Sequence, residues 1–292
     1  MKLLKKRHIS ITDKFILYFV SFNFIAGFVI TLVLFYSARD SILARAGEQL
    51  TSVRVVKKRQ IESFFADCFE NSANASYFFS LFGHKGGQSE IDEFIKHLMN
   101  TNRNFDGCFI FNNNSRRISA EVLPNTNEQE LNYLSELSSR FAETEASAQL
   151  IDFSDDKAGH YSGLYLLSAV RGSEYTIGFR ISTQRINEIM LENKPNEGLG
   201  NSGESYLIGP DMTMRSKSRF IDSSQFRTKV RTESSAKAIE GLSETQTTFD
   251  YRGIKVLSSF GPLDIPGLRW AVLAAIDFDE VLIPLNQMLT KT

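Results

Sequence analysis

Excess basic charge, proline and cysteine are all in short supply in this chain, and each shortage removes a class of protein. Lysine and arginine number 33 against 34 acidic residues, a net charge of -1, so nothing marks a nucleic-acid surface. Six prolines and 18 glycines among 292 residues, with 42% hydrophobic and 23% charged, describe a foldable chain rather than a disordered one. It is long enough for one elongated domain or two small ones. The two cysteines, Cys68 and Cys108, leave two readings open: a disulfide between helix and sheet in an oxidising space, or two buried free thiols. His8, His84, His97 and His160 are scattered, none in H-E-x-x-H or Cys/His ligand spacing, and no Gly-x-Ser-x-Gly elbow occurs. No metal, no cofactor and no enzymatic role is expected of this chain.

What the sequence does have is one apolar run, residues 15–36, of 22 residues. As a helix rising about 1.5 Å per residue it reaches roughly 33 Å, enough for a hydrocarbon core of about 30 Å. Residues 1–14 carry Lys2, Lys5, Lys6, Arg7 and Lys14 against Asp13. The positive-inside rule holds such a tip in the cytoplasm and puts the soluble part outside. The other flank is basic too, with Arg39, Arg45, Arg54 and Lys57-Lys58-Arg59, interspersed with Asp40 and Glu48. Ala44-Arg45-Ala46 resembles a signal cleavage site, but the apolar run exceeds the about 7 to 15 residues of a signal core. The expectation is an uncleaved single anchor in the inner (plasma) membrane.

Residues 37–80 contain no proline and only Gly47, while Leu43, Ala46, Leu50, Val53, Ile61, Phe64, Phe65 and Cys68 recur at helical spacing. This predicts one long helix continuing from the span. Lys57 and Gln60 break its seam, so it packs on something other than a sustained coiled coil. A second amphipathic helix follows, with Ile91, Phe94, Ile95, Leu98 and Met99 on one side. The period then changes to two. Strands are predicted at 107–111 and 117–122 around Asn112-Asn113-Asn114-Ser115, a helix at 128–142, and strands at 149–153, 164–171 and 175–181. A single antiparallel sheet with helices on one face would bury that pattern.

The order then repeats in shorter form. A connecting helix at 184–191 precedes a hairpin of 204–208 and 212–215 around Gly209-Pro210-Asp211, a helix at 233–242, and strands at 245–251, 256–261 and 269–276. The two halves share element order without obvious residue identity, which implies two similar modules. Gly198, Gly200 and Gly203 have G-x-G-x-x-G spacing. A helix precedes them and a strand follows, the reverse of a dinucleotide site, so nucleotide binding is rejected.

The second module carries a resemblance. Gly198-Leu199-Gly200-Asn201-Ser202-Gly203-Glu204-Ser205-Tyr206-Leu207-Ile208-Gly209-Pro210-Asp211 and then Met214-Arg215-Ser216-Lys217-Ser218-Arg219-Phe220 resemble the double Cache (dCache) family of extracytoplasmic sensor domains. The stretch 251–264, with Leu268-Arg269-Trp270 and Ile276-Asp277, is similar to that family's closing strands. The resemblance covers roughly 37–284 and is looser in the first module. It implies an α+β chain: a cytoplasmic tip (1–14), a transmembrane helix (15–36) and a long periplasmic helix (37–80). Two PAS-like antiparallel-sheet modules in tandem then follow, membrane-distal (81–183) and membrane-proximal (184–283), and last a segment (284–292) leading towards a second span. It further implies sensory input to a bacterial histidine kinase, chemoreceptor or cyclase, and a homodimer paired in parallel through the long helix.

For such a sensor the sequence points to Asp152, Tyr161, Tyr165, Arg171 and Tyr175 as the ligand-binding residues, with Arg171 and the tyrosines holding a small ligand that could carry a carboxylate. Asp155-Asp156-Lys157 and Ala169-Val170 stand where relatives tend to have proline, so ligand class does not carry over. Arg215 and Arg219 have two readings, as anion contacts of a second pocket or as residues that fix their loop. Two functions are expected to compete. One is the small-molecule-sensing region of a transmembrane receptor. The other is a free-standing, single-anchor periplasmic binding or interaction protein, because no second apolar run follows Ile283-Pro284-Leu285; on the first reading the sequence is truncated there or signals through a partner.

Overall fold

A computed structural model describes residues 11–82, 88–153, 163–191 and 198–290. Two compact units form, one spanning Gly47–Phe278 and the other made of the chain before and after it. The first element is the predicted long helix, α1 (Ile11–Phe82). In its first part Phe15, Phe19, Phe22, Phe28 and Leu34 are all more than half exposed, so no face of the apolar run is covered by protein. That all-round apolar surface, on a helix long enough to cross a membrane, is the pattern of a span. Beyond Gly47 the burial becomes one-sided: Leu50, Ile61, Phe64, Phe65, Cys68, Ala75 and Phe79 are buried.

The remaining elements are α2 (Gln88–Thr101), β1 (Phe105–Asn112), β2 (Arg117–Val122), α3 (Glu128–Ala142), β3 (Ala148–Asp152), β4 (Leu164–Ala169), β5 (Tyr175–Ile181), α4 (Thr183–Met190), β6 (Glu204–Ile208), α5 (Glu233–Ile239), β7 (Glu244–Phe249), β8 (Lys255–Pro262), β9 (Ala271–Asp277), α6 (Phe278–Val281) and α7 (Ile283–Thr290). They make two antiparallel sheets, ordered β2-β1-β5-β4-β3 and β6-β9-β8-β7. The mixed fold with two sheets along a long helix is the one expected.

Four details differ from the sequence expectation or decide between its alternatives. Helices cover both faces of the five-stranded sheet, not one. Cys108 and Ile110 of β1 pack with Phe64, Phe65 and Phe79 of α1, whereas Phe109 and Phe111 pack with Leu134 and Phe141 of α3. Strict alternation along β1 sends apolar side chains both ways, and each layer needs a cover. Second, the arm predicted at 212–215 makes only isolated bridges, because its backbone is divided between β6 and residues 228–230. Third, α5 stops at Ile239: Gly241, at φ 98°, donates to the Ala238 carbonyl while Leu242 donates to that of Lys237, a Schellman ending. Fourth, Cys68 and Cys108 are free and buried in the same cluster, and burial pushes the Cys68 thiol up to about 12.

That cluster is continuous between the sheets. It joins Ile110, Leu166 and Phe179 of the first to Leu207 and Val272 of the second, with Trp270 edge-on to Phe65 at 5.7 Å. Lys57, the residue that breaks the apolar seam of α1, is buried and donates to the Ile189 carbonyl at 2.7 Å, which closes α1 onto the end of α4.

Candidate functional site

The α3 face of the five-stranded sheet holds a cluster in which buried aromatic surface meets charges of both signs. Alternation on β4 turns Tyr165 and Leu167 to this face, and on β5 it turns Gly178 and Arg180 there. Tyr165 is buried, and its hydroxyl donates to Glu130 Oε1 at 2.6 Å. Burial, and then the Glu130 carboxylate, raise its pKa far above the usual tyrosine value. Phe153 stands edge-on to Tyr165 at 5.0 Å, and Tyr133 tilts against Phe153 at 5.2 Å. Gly178 lies under Phe109: a Cβ there would come within 2.1 Å of the ring.

Glu130 is set by the start of α3, where the Asn127 side chain accepts from the Glu130 amide at 2.9 Å and caps the helix. Across the sheet from Tyr165, Arg180 donates to Asp106 Oδ1 at 2.5 Å, the Pro124 carbonyl at 3.0 Å and Thr126 Oγ1 at 3.3 Å. Burial opposes the Arg180 cation, and the Asp106 carboxylate outweighs it, so the pKa is raised and the guanidinium stays charged. A carboxylate from α3, a guanidinium from β5 and a phenol from β4 thus converge on one aromatic-lined face. Such a set can orient a small polar molecule carrying charge of either sign.

Of the residues singled out in sequence, Tyr165 belongs to this face, and Tyr161, like His160, lies outside the described residues. The others are not brought to it. Tyr175 is on the α1 side, edge-on to Phe79 at 5.5 Å. Asp152 Oδ2 accepts from Arg215 Nε at 2.8 Å and Trp270 Nε1 at 2.7 Å, so it joins β3 to the second sheet. Arg171 is exposed in the β4–β5 turn and lines a separate cleft against α1. Period-two spacing separates neighbours in sequence onto opposite faces, which is why a cluster along the chain does not become a cluster in space. Asp106, Glu130, Tyr133 and Arg180 were not singled out. Two of them left a signal: Glu130 is four residues before Leu134 on the buried stripe of α3, and Arg180 sits between buried Phe179 and Ile181.

Arg215 and Arg219 fix their loop. Arg215 is fully buried and bonds Asp152, Asp211 Oδ1 at 2.8 Å and the Thr213 carbonyl at 2.9 Å. Arg219 donates to the carbonyls of Gly200 and Gly203. Beside them, buried Glu204 accepts from the Tyr251 hydroxyl at 2.5 Å, Ser218 Oγ at 2.9 Å and the Arg219 amide at 3.2 Å. Burial is the largest influence on Glu204 and raises its pKa despite those donors.

No protein-family model and no curated relative matches the chain. Solved structures do. The periplasmic sensory domain of the Campylobacter jejuni chemoreceptor Tlp1 superimposes with a TM-score of 0.60 at 13% identity, covering 83% of this chain and 99% of that one. The fold is that of a receptor's sensory domain. The same sensory fold occurs in the ligand-binding domain of the Pseudomonas fluorescens chemoreceptor CtaA in complex with L-isoleucine, with TM-score 0.57, 12% identity and coverage of 85% and 98%. It occurs again in that of the Pseudomonas aeruginosa amino acid chemoreceptor PctB in complex with L-Arg, with TM-score 0.55, 13% identity and coverage of 84% and 93%. At these identities the likeness shows the fold alone and assigns no residue roles.

Proposed function

We propose that this chain is the ligand-sensing region of a bacterial transmembrane receptor, and that a small molecule binds on the α3 face of the five-stranded sheet. The observation that carries the reading is the convergence of Tyr165, Glu130 and Arg180 on one aromatic-lined face of a sensory-domain fold. Paired opposite charges suit a zwitterion such as an amino acid, the class bound by CtaA and PctB. Residues 81–183 form the membrane-distal module on this reading and 184–283 the proximal one, with the soluble part outside the inner membrane and two copies paired through α1. The basic tip and the exposed apolar run of α1 support that topology.

The test is a thermal-shift screen of the amino acids on the full chain in nanodiscs, followed by calorimetry. Tyr165→Phe and Glu130→Gln are each expected to weaken the hit about tenfold or more, equal to about 1.4 kcal/mol. A hit whose affinity neither substitution changes would move the site off this face.

A further inference from the structure

On the opposite side of the same sheet, α1 and the β3–β4 edge enclose an open cleft of about 280 Å³. Asn74, Ser76 and Tyr77 of α1 line it from one side, and Ser147, Ser168 and Arg171 from the other. We propose that this cleft is a second binding site, for a small monocarboxylate, anchored by the Arg171 guanidinium. The proposal is independent of the ligand on the α3 face.

Three observations point there. Among the described residues, the Arg171 guanidinium has no hydrogen-bond or ion-pair partner, and no carboxylate lines the cleft. Two other open clefts contrast with it: the one holding Lys217 also holds Glu188, and the one holding Arg116 and Arg117 also holds Glu121 and Glu128. Only the Arg171 cleft of these three has an unopposed positive charge. Second, the cleft's inner wall is hydroxylic although it lies between apolar layers. Buried Ser76 donates to Ser168 Oγ at 2.8 Å, while Ser168 reaches only the Ser72 carbonyl at 3.5 Å, the outer limit of a bond. A ligand oxygen would satisfy that hydroxyl better.

Third, the turn holding Arg171 is pinned. Val170 donates to the Tyr175 carbonyl at 3.1 Å, Ser173 to that of Val170 at 3.2 Å, and Gly172 adopts φ 67°. The guanidinium therefore projects from a fixed backbone, and its planar fork matches a carboxylate. One cation without a second favours a monoanion over phosphate, and a volume just under the usual range of ligand pockets suits a small one. Asn74, Tyr77 and the serines would hold a further hydroxyl, as on a 2-hydroxy acid.

Ligand-observed NMR on the full chain in nanodiscs, with sodium L-lactate as probe and neutral lactamide as control, tests this. Saturable binding of lactate but not lactamide is expected, and Arg171→Ala should weaken it about tenfold or more, while Arg171→Lys, which keeps the charge and loses the fork, should fall between Arg171→Ala and the unsubstituted chain. Ser147→Leu, which narrows the mouth, should weaken it as well. Tyr165→Phe, on the other face, should leave it unchanged. Both substituted cleft positions, Arg171 and Ser147, are exposed, so the three cleft variants are expected to fold. Absence of saturable binding, an Arg171→Ala affinity within about twofold of the unsubstituted chain, or loss of binding in Tyr165→Phe would overturn the site.

Discussion

Glu204 illustrates how one side chain can set the response of a fold to acidity. Its carboxylate has three donors, yet removal from water dominates, so its folded pKa is raised above the unfolded value of about 4.3. A raised carboxyl pKa contributes stability that is complete below the unfolded value and is lost as pH rises through the folded one. Glu204→Gln is neutral throughout and lacks this dependence. Urea midpoints across a pH series should therefore show the unsubstituted chain losing ground to Glu204→Gln as pH rises from about 4.3. Parallel pH profiles for the two would mean that the Tyr251, Ser218 and Arg219 donors hold the carboxylate charged after all.

Among elements, the contact of greatest consequence joins β3 to the segment after β6 and to the start of β9. Asp152 ends β3, Arg215 follows the bridge at Met214, and Trp270 immediately precedes β9. Arg215 is fully buried and Trp270 almost so, so truncating Asp152 leaves a guanidinium and an indole N–H short of an acceptor in a dry environment. Asp211 remains as a partner of Arg215 and softens the loss. Asp152→Ala is expected to cost about 3 kcal/mol of unfolding free energy in urea titration. A cost below about 1 kcal/mol would mean that water takes the carboxylate's place.

At this scale most of the fold was legible. The limits of β2, α3 and β5 follow from hydrophobic period and turn chemistry alone, because those signals are local. The sites were not, for the same reason. Asp152 looks like a ligand contact because it is polar and near aromatics in sequence, but it accepts from Arg215 and Trp270 of the second half, and sequence gives no register between strands. Register decides that Arg180 faces Tyr165, and helix docking decides that Glu130 reaches them. Gly241 is a stop signal visible in the sequence, and it ends α5 at Ile239 rather than at the expected 242.

The molecule as a whole contains a unit, Gly47–Phe278, whose two sheets share one apolar core. Two modules alike in element order would ordinarily be expected to melt separately. Here Leu207, Val272 and Trp270 of the second half are packed into the same cluster as Ile110, Leu166 and Phe179 of the first, so each half loses this shared cluster if the other opens. Far-UV circular dichroism and Trp270 fluorescence should therefore report one coincident transition in denaturant. Two separated midpoints would show that the halves are energetically distinct. The shared core also means that a displacement begun at one sheet meets close-packed side chains rather than a flexible joint.

The hydrogen atom that Gly178 carries in place of a side chain sets the floor under the α3 face, since Phe109 lies where any β-carbon would go. On the proposed sensory role, a chain needing a different ligand could change the depth of that floor with one substitution, to alanine or serine. The displaced ring would fill space above it and exclude bulkier guests while the surrounding charges stayed in place. Repertoires can diverge through such a position, with size selection drifting independently of charge recognition.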